Sequence, residues 1–173
     1  MKTAVIYKTC SGFTKKYAEW IAEELAADIF DVSAIAAKNL ENYDNIVYGG
    51  SLHMAGIIGL KFIKKNLNKL KDKKVVVFAT GASPAKEEVL REVANKNFTQ
   101  EEQKHIKFFY LRGGFDFNKL NSFDKFLMTM LKWMLKRKKE LTADERNLLS
   151  AYDEPVDYTN KKDIEELINH INS

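Results

Sequence analysis

Short apolar runs alternate with segments of helical periodicity along the chain, and this alternation is the main fold signal in the sequence. Five apolar or β-branched runs predict strands, at 4–7, 29–32, 45–48, 75–78 and 106–111. Apolar residues at helical spacing fill the gaps, beginning with Tyr17, Ile21 and Leu25. Nearly continuous apolar strands that alternate with helices predict an α/β fold, a doubly wound five-stranded parallel sheet in the order 2-1-3-4-5. We expect one domain, 1–173.

Three loops in this pattern are rich in glycine and small hydroxyl residues: 9–14 (first loop), 49–56 (second loop) and 80–84 (third loop). They follow predicted strands 1, 3 and 4, whose carboxyl ends flank the ligand crevice of a doubly wound sheet. Any one of them alone could be a simple turn. The first loop also opens a helix, where unsatisfied N–H groups and the positive dipole end favour a phosphate monoester. Together the loops predict a site for a phosphorylated ligand.

Composition narrows the class of protein. The single cysteine excludes an internal disulfide framework, and three widely separated histidines give no metal-ligand spacing, so no metal site is expected. No apolar run reaches the length of a membrane span and no signal peptide is evident, which predicts a cytoplasmic protein.

The net charge of +4 is concentrated at 61–74 and 132–139. Each cluster is either a solvated helix face or a surface for anionic partners such as lipid headgroups; without interleaved aromatic residues, no nucleic-acid partner is expected.

The first loop resembles the phosphate-loop pattern of flavodoxins, Thr/Ser-x-Thr-Gly-x-Thr. Thr9, Ser11, Gly12 and Thr14 carry this resemblance, with Ser11 in place of the central threonine. It implies a flavodoxin-like fold and FMN as cofactor, with the phosphate held by the three hydroxyls and the N–H groups of the turn.

By the same resemblance, the second and third loops bracket the isoalloxazine ring. Neither carries the Trp or Tyr that often stacks on the ring in carrier flavodoxins, so Leu52, His53 and Met54 are the expected ring neighbours. The predicted cofactor-binding residues are Thr9, Cys10, Ser11, Gly12, Phe13, Thr14, Gly50, Ser51, Leu52, His53, Met54, Thr80, Gly81, Ala82 and Ser83.

Four further blocks, 49–53, 112–115, 123–128 and 156–160, resemble successive segments of the flavodoxin-domain protoporphyrinogen oxidases that use menaquinone. This resemblance implies an FMN-dependent oxidoreductase with a hydrophobic small-molecule substrate and a quinone or redox protein as partner. The chain departs from the pattern of these oxidases in two places: its third loop is shorter, and His53-Met54 stand where that family has a basic-aromatic pair. No catalytic side chain is assigned, because an ordinary exposed loop histidine explains His53 better than a role in proton transfer.

A segment of about 115–155, which a minimal flavodoxin lacks, forms a predicted helical insertion after strand 5. At about 100° per residue, its apolar residues between 123 and 135 cover an arc of about 220°, wider than one core contact requires. The surplus face predicts a second partner: a porphyrin or quinone ring, the inner face of the membrane through 123–139, or another copy in a homodimer. A deeply buried helix is the alternative.

Two other functions use the same topology. A non-enzymatic electron carrier would bind the same cofactor, although carrier flavodoxins are usually acidic and this chain is basic. A phosphatase of the low-molecular-weight type would use Cys10 as its nucleophile, but position 16 is Lys where that chemistry needs the arginine fork. The sequence therefore favours the oxidoreductase, with the carrier as the alternative.

Overall fold

The computed structural model describes residues 1–120 and 122–173. Its strands are β1 (Thr3–Lys8), β2 (Asp28–Asp31), β3 (Asn45–His53), β4 (Gly56–Ile57), β5 (Lys74–Gly81), β6 (Ile106–Arg112), β7 (Gly114–Phe115) and β8 (Val156–Asp157). Its α-helices are α1 (Phe13–Leu25), α2 (Lys61–Asn66), α3 (Glu87–Asn97), α4 (Gln100–His105), α5 (Ser122–Lys136), α6 (Ala143–Ala151) and α7 (Glu165–Asn172). Short 3-10 helices lie at Ala37–Asn42, Leu67–Lys69, Phe117–Lys119 and Lys161–Ile164.

The five long strands form a parallel sheet in the order β2-β1-β3-β5-β6. This confirms the predicted doubly wound order. A sixth, two-residue strand, β4, was not predicted; it folds back antiparallel on the end of β3 and shifts the numbering of the later strands by one. Because the main strands are parallel, the first, second and third loops leave the sheet at the same edge.

Alternate residues of each strand enter separate cores on the two faces of the sheet, as the two-residue period of a strand requires. In β3, for example, Ile46 and Tyr48 face one core and Val47 faces the other. Residues of α1 and α7 complete the Val47 side, and residues of α2 and α3 complete the opposite side. The sheet is thus covered on both faces, which is why its strands are apolar throughout.

Two helical segments differ from the sequence pattern. Leu60, Ile63, Leu67 and Leu70 follow the spacing of one continuous helix, but the structure divides this segment into α2 and a 3-10 turn, Leu67–Lys69. Helix α4 was missed, although Thr99 and Glu102 form a capping box at its start that the sequence displays. Before the last helix, the Asn160 side chain accepts from the N–H of Lys162 and caps the 3-10 helix Lys161–Ile164.

An antiparallel two-stranded ribbon, β7 with β8, lies at the two ends of the predicted insertion. Between these strands α5 and α6 pack against each other, while residue 121 lies outside the described residues. Only Leu135 of α5 is buried. Phe126 and Trp133 keep 66% and 54% of their surface exposed, so the alternative of a deeply buried helix is wrong.

Candidate functional site

The three loops meet at a cavity of about 280 Å³ at the carboxyl edge of the sheet, called the three-loop pocket below. Loop side chains form one wall, and the residues after β6 and the start of α5 form the other. The lining residues are Cys10, Ser11, Phe13, Ser51, Leu52, His53, Met54, Thr80, Gly81, Ala82, Gly113, Gly114, Phe115, Asp116, Leu120, Asp124, Leu127 and Met128. The sheet topology therefore assembles one concave site from segments that are far apart in sequence.

A buried hydroxyl network ties the three loops together. The Thr14 hydroxyl, fully buried, lies 2.7 Å from the Ser51 hydroxyl and 2.6 Å from the Thr80 hydroxyl. Ser51 also accepts from the backbone N–H of Cys10 at 3.1 Å. Since each loop contributes one hydroxyl, the network fixes the distances between the loops before any ligand binds.

The first loop turns at Gly12 and leads directly into α1. Gly12 has a φ of +95°, a backbone conformation that a side chain would strain, and its N–H donates to the Thr9 hydroxyl. Among the described residues no side chain caps the start of α1, and the first helical turn contains no acidic residue. Uncapped N–H groups beside Lys15 and Lys16 form a suitable anion site, which fits the predicted phosphate position.

The second loop is a tight hairpin at the rim of the pocket. Met54 and Ala55 both have positive φ, at 49° and 62°, as a two-residue turn between antiparallel strands requires. Helix α3 holds this turn: Lys96 donates to the Met54 carbonyl, and Asn97 donates to that of Ala55. A Cβ on Gly50 would lie 2.4 Å from Ile57, so that glycine makes room for the hairpin itself.

The third loop is supported from below by Tyr110 of β6, whose hydroxyl donates to the Ser83 carbonyl at 2.8 Å. Burial raises the pKa of Tyr110 to about 12, an effect that the charge of Arg112 partly offsets. The phenol therefore stays protonated and remains a donor at neutral pH. This contact positions the peptide segment that follows Gly81.

The insertion forms part of the pocket wall. The His53 Nε2 atom lies 2.7 Å from Oδ1 of Asp124, so the second loop and the first turn of α5 are joined by an ion-pair geometry. Leu127 and Met128, one turn further along α5, supply apolar surface to the same wall. The insertion thus contributes to the site directly and does not stand apart from it.

Ten of the fifteen predicted cofactor-binding residues line the three-loop pocket, and five do not: Thr9, Gly12, Thr14, Gly50 and Ser83. Thr9 and Gly12 shape the turn, and Gly50 makes room for the hairpin. The Thr14 hydroxyl was expected to face a phosphate, but in the structure it is fully buried between the other two loops. Ser83 faces a neighbouring cavity.

The sequence prediction missed the wall after β6 and on α5. Gly113, Gly114 and Phe115 line the pocket, as do Asp124 and residues of the next helical turn. The glycine pair at the carboxyl end of a strand was a usable signal, because it has the same character as the three loops that were selected. The α5 contribution had no local signal, since it depends on how the insertion folds back.

Cys10 lines the pocket, but its surroundings do not favour a thiolate. Desolvation and the negative charge of Asp124 raise the pKa of the Cys10 thiol, and the nearby Lys8 offsets this only in part. A nucleophilic cysteine needs the opposite shift. The arrangement gives no support to the phosphatase alternative.

Residues 1–120 and 122–173 lack two features that would bear on function. No cluster of three or more His, Cys, Asp or Glu side chains is arranged to hold a metal ion. Within the same residues, no helix combines the length and the apolar character needed to cross a bilayer.

A doubly wound sheet with a glycine- and hydroxyl-rich pocket at its carboxyl edge is typical of α/β proteins that bind a phosphorylated cofactor. A family model described as flavodoxin domain matches residues 4–142. The chain belongs to this flavodoxin-domain family, and membership implies a flavin cofactor.

Three similar proteins illustrate the range of relatives. Uncharacterized protein MJ0298 of Methanocaldococcus jannaschii is 34% identical over 87 residues, 49% of this chain and 57% of that protein. Protoporphyrinogen IX dehydrogenase (quinone) of Escherichia coli K12 is 32% identical over 77 residues, 40% of this chain and 42% of that protein. The chain thus spans about half the length of these curated relatives. The structure of oxidised flavodoxin 1 from Bacillus cereus is 18% identical, with a TM-score of 0.45 over 82% of this chain and 100% of that one.

Proposed function

We propose that this protein binds FMN in the three-loop pocket and acts as an oxidoreductase on a hydrophobic reduced substrate, with a quinone or a redox protein as electron acceptor. The observation that carries the proposal is the pocket itself. An uncapped helix start lies at one end, three loops locked by hydroxyls form one wall, and an apolar insertion forms the other. The similarity to a protein named protoporphyrinogen IX dehydrogenase supports a substrate of the porphyrinogen class.

Each wall of the pocket has a distinct role in this proposal. The N–H groups at the start of α1, with the Ser11 hydroxyl, bind the phosphate of FMN. Leu52, His53 and Met54 lie beside one part of the ring, and the third loop lies beside another. When bound, FMN supplies the electron-transfer chemistry, while the protein orients it and excludes water. The Asp124 contact holds His53 in place, and the apolar residues of α5 present a surface to the substrate.

The phosphate assignment is tested by comparing FMN with riboflavin, which has the same ring and no phosphate. In Ser11→Glu, we expect FMN affinity to fall about tenfold or more through charge repulsion, with riboflavin affinity unchanged. The control Asn95→Glu adds the same charge on an exposed position of α3 and should alter neither affinity. Equal loss of both ligands in Ser11→Glu would contradict a phosphate at the first loop.

The redox assignment is tested by anaerobic mixing of the FMN-loaded protein with protoporphyrinogen IX and a menaquinone analogue. Turnover measured by porphyrin fluorescence supports the oxidoreductase. Bound FMN without turnover, combined with electron delivery to a protein acceptor such as cytochrome c, would favour the electron carrier. A protein that takes up no FMN would refute both.

We also propose that α5 makes peripheral contact with an anionic membrane. Phe126, Met130 and Trp133 belong to an exposed apolar arc of about 100° on the side of α5 away from the pocket. Residues 122–139 carry six basic side chains and one acidic side chain. An apolar face with aromatic residues, bordered by Lys and Arg, is typical of helices that lie in the membrane interface. A quinone acceptor would be available there.

Vesicle co-sedimentation tests this contact, with phosphatidylcholine vesicles that contain or lack phosphatidylglycerol. We expect binding only to the anionic vesicles, and we expect Phe126→Ser/Trp133→Ser to abolish it. The control Lys61→Gln/Lys65→Gln removes two positive charges from α2, outside the α5 face, and should preserve binding. Failure of the wild type to bind the anionic vesicles would refute the lipid contact. A solution dimer that Phe126→Ser/Trp133→Ser converts to a monomer would also refute it and would assign this face of α5 to a second copy of the chain.

A further inference from the structure

A second cavity of about 440 Å³, called the side cavity below, adjoins the three-loop pocket. Ala82 and Phe115 line both, so these two side chains form the partition between them. The side cavity lies between the third loop, the start of α3, the end of β6 and helix α6. Its further apolar walls come from Val89, Leu148, Val156 and Tyr158.

Arg112, the last residue of β6, is held at the wall of this cavity in a defined orientation. Its Nε–H donates to the carbonyl of Ala82 at 3.2 Å, and its guanidinium carbon lies 3.7 Å from the centre of the Tyr158 ring. These contacts use one edge and one face of the guanidinium. Among the described residues no carboxylate pairs with Arg112, and its terminal nitrogens have no hydrogen-bond partner. A half-buried arginine with this geometry presents a two-pronged donor for a carboxylate.

The other charged residues that line the side cavity are Lys86, Glu88 and Glu145, so that with Arg112 its lining carries two positive and two negative formal charges. Lys86 adds a second positive charge on the loop before α3. The Glu145 carboxylate is already engaged, by Lys138 at 2.6 Å and by the N–H of Thr142 at 2.9 Å. Glu88, in the first turn of α3, is exposed to solvent. Among the described residues neither of these carboxylates pairs with Arg112, so the guanidinium is left to an anionic group that enters the cavity.

We propose that the side cavity binds an apolar, aromatic molecule that carries a carboxylate, with Arg112 as the residue that holds the carboxylate. The apolar walls take the ring system, and the shared partition places the ligand next to the three-loop pocket. That this ligand is the electron donor rests on the function proposed above. The proposal that the side cavity binds a ligand does not rest on that function, because it is argued from the residues that line the cavity.

The probe pair for this proposal is 1-pyrenebutyrate and 1-pyrenebutanol, which differ in the carboxylate. Calorimetric titration of the FMN-loaded protein should give tighter binding of the acid. In Arg112→Gln, we expect affinity for the acid to fall about tenfold or more, with affinity for the alcohol unchanged. Arg112→Lys, which keeps the charge and loses the fork, should lie between. The control Arg91→Gln removes an exposed arginine of α3 and should bind both as the wild type does.

Equal affinity of the wild type for acid and alcohol overturns the role of Arg112. Loss of both ligands in Arg112→Gln also overturns it, since that result indicates a purely structural contact with the third loop. No binding of either probe overturns the site. Repeating the titration on protein without FMN separates the two proposals: failure to bind FMN refutes the proposed function, whereas probe binding still reports on the side cavity.

Discussion

The Thr14 hydroxyl is the junction of the three loops, and replacing it with a methyl group tests whether the pocket is pre-formed. Thr14→Val keeps the branched shape of a side chain that is fully buried and removes the contacts to Ser51 and Thr80. Both partner hydroxyls lose a neighbour at once. The Ser51 oxygen keeps one contact, with the Cys10 N–H, and so remains partly satisfied.

The expected cost follows from the two lost hydrogen bonds. At about 0.5–1.5 kcal/mol for each, the free energy of unfolding of the FMN-free protein should fall by about 1–3 kcal/mol. Because the variant loops must be ordered again when the cofactor binds, part of this loss carries over to binding. If about 1 kcal/mol carries over, FMN affinity falls about fivefold.

The assay combines urea unfolding of the FMN-free protein, followed by circular dichroism, with FMN titration followed by flavin fluorescence. Thr3→Val is the matched control. Like Thr14, Thr3 is buried, but it lies in β1 at the amino end of the sheet, where its hydroxyl accepts from the Asn45 amide at 3.0 Å. We expect this control to cost about 1 kcal/mol in stability and to leave FMN affinity unchanged.

Two results would refute this reasoning. One is a Thr14→Val protein that unfolds with the wild-type free energy, because the hydroxyl network would then contribute nothing. The other is an equal loss of FMN affinity in both variants, because the effect would then follow global stability and not the arrangement of the loops.

Three further predictions concern other parts of the fold. The Tyr17 hydroxyl donates to the Arg112 carbonyl at 2.8 Å and accepts from the Asn160 N–H. Tyr17→Phe should therefore lower the free energy of unfolding by about 1–3 kcal/mol, measured by urea unfolding, and an unchanged midpoint would contradict this. Ala55→Gly should stabilise the protein by about 1 kcal/mol, because φ is 62° there; a lower melting temperature would argue against strain at this turn. Burial and the charges of Lys74 and Lys107 lower the pKa of His170 in the folded protein. Because the unfolded chain then binds the proton more readily, the stability that the neutral imidazole contributes is complete above about pH 6.5 and is lost as the pH falls through the lower folded-state pKa. His170→Gln should therefore lose less stability than the wild type between neutral pH and pH 5, and identical pH profiles would be the contrary result.

Much of the fold could be predicted because parallel strands buried on both faces have a distinctive sequence. The residues of β3 and β5 are apolar on successive positions, and only a covered sheet permits that. The site loops were found for the same reason, since the fold places them at one edge. Membership of the flavodoxin-domain family agrees with this prediction.

The rest depended on contacts between segments that are distant in sequence. The pairing of His53 with Asp124 spans 71 residues, and no local pattern specifies it. The burial of Thr14 also depends on two other loops. The pattern of the first loop alone predicts that its hydroxyl contacts a phosphate, whereas in the structure it contacts the hydroxyls of Ser51 and Thr80. The exposure of α5 could not be decided from its periodicity, because a wide apolar arc is compatible with either burial or an external partner.

The ribbon of β7 and β8 brings the two ends of the insertion side by side, with Gly114 opposite Asp157. The two ends of the insertion therefore meet at one place, just beyond the end of β6, and the intervening helices form a segment that could be shortened or exchanged without changing the order of the main sheet. Editing this one segment would replace one wall of the three-loop pocket, and with it the molecules that the protein meets, while the three loops at the edge of the sheet stay the same.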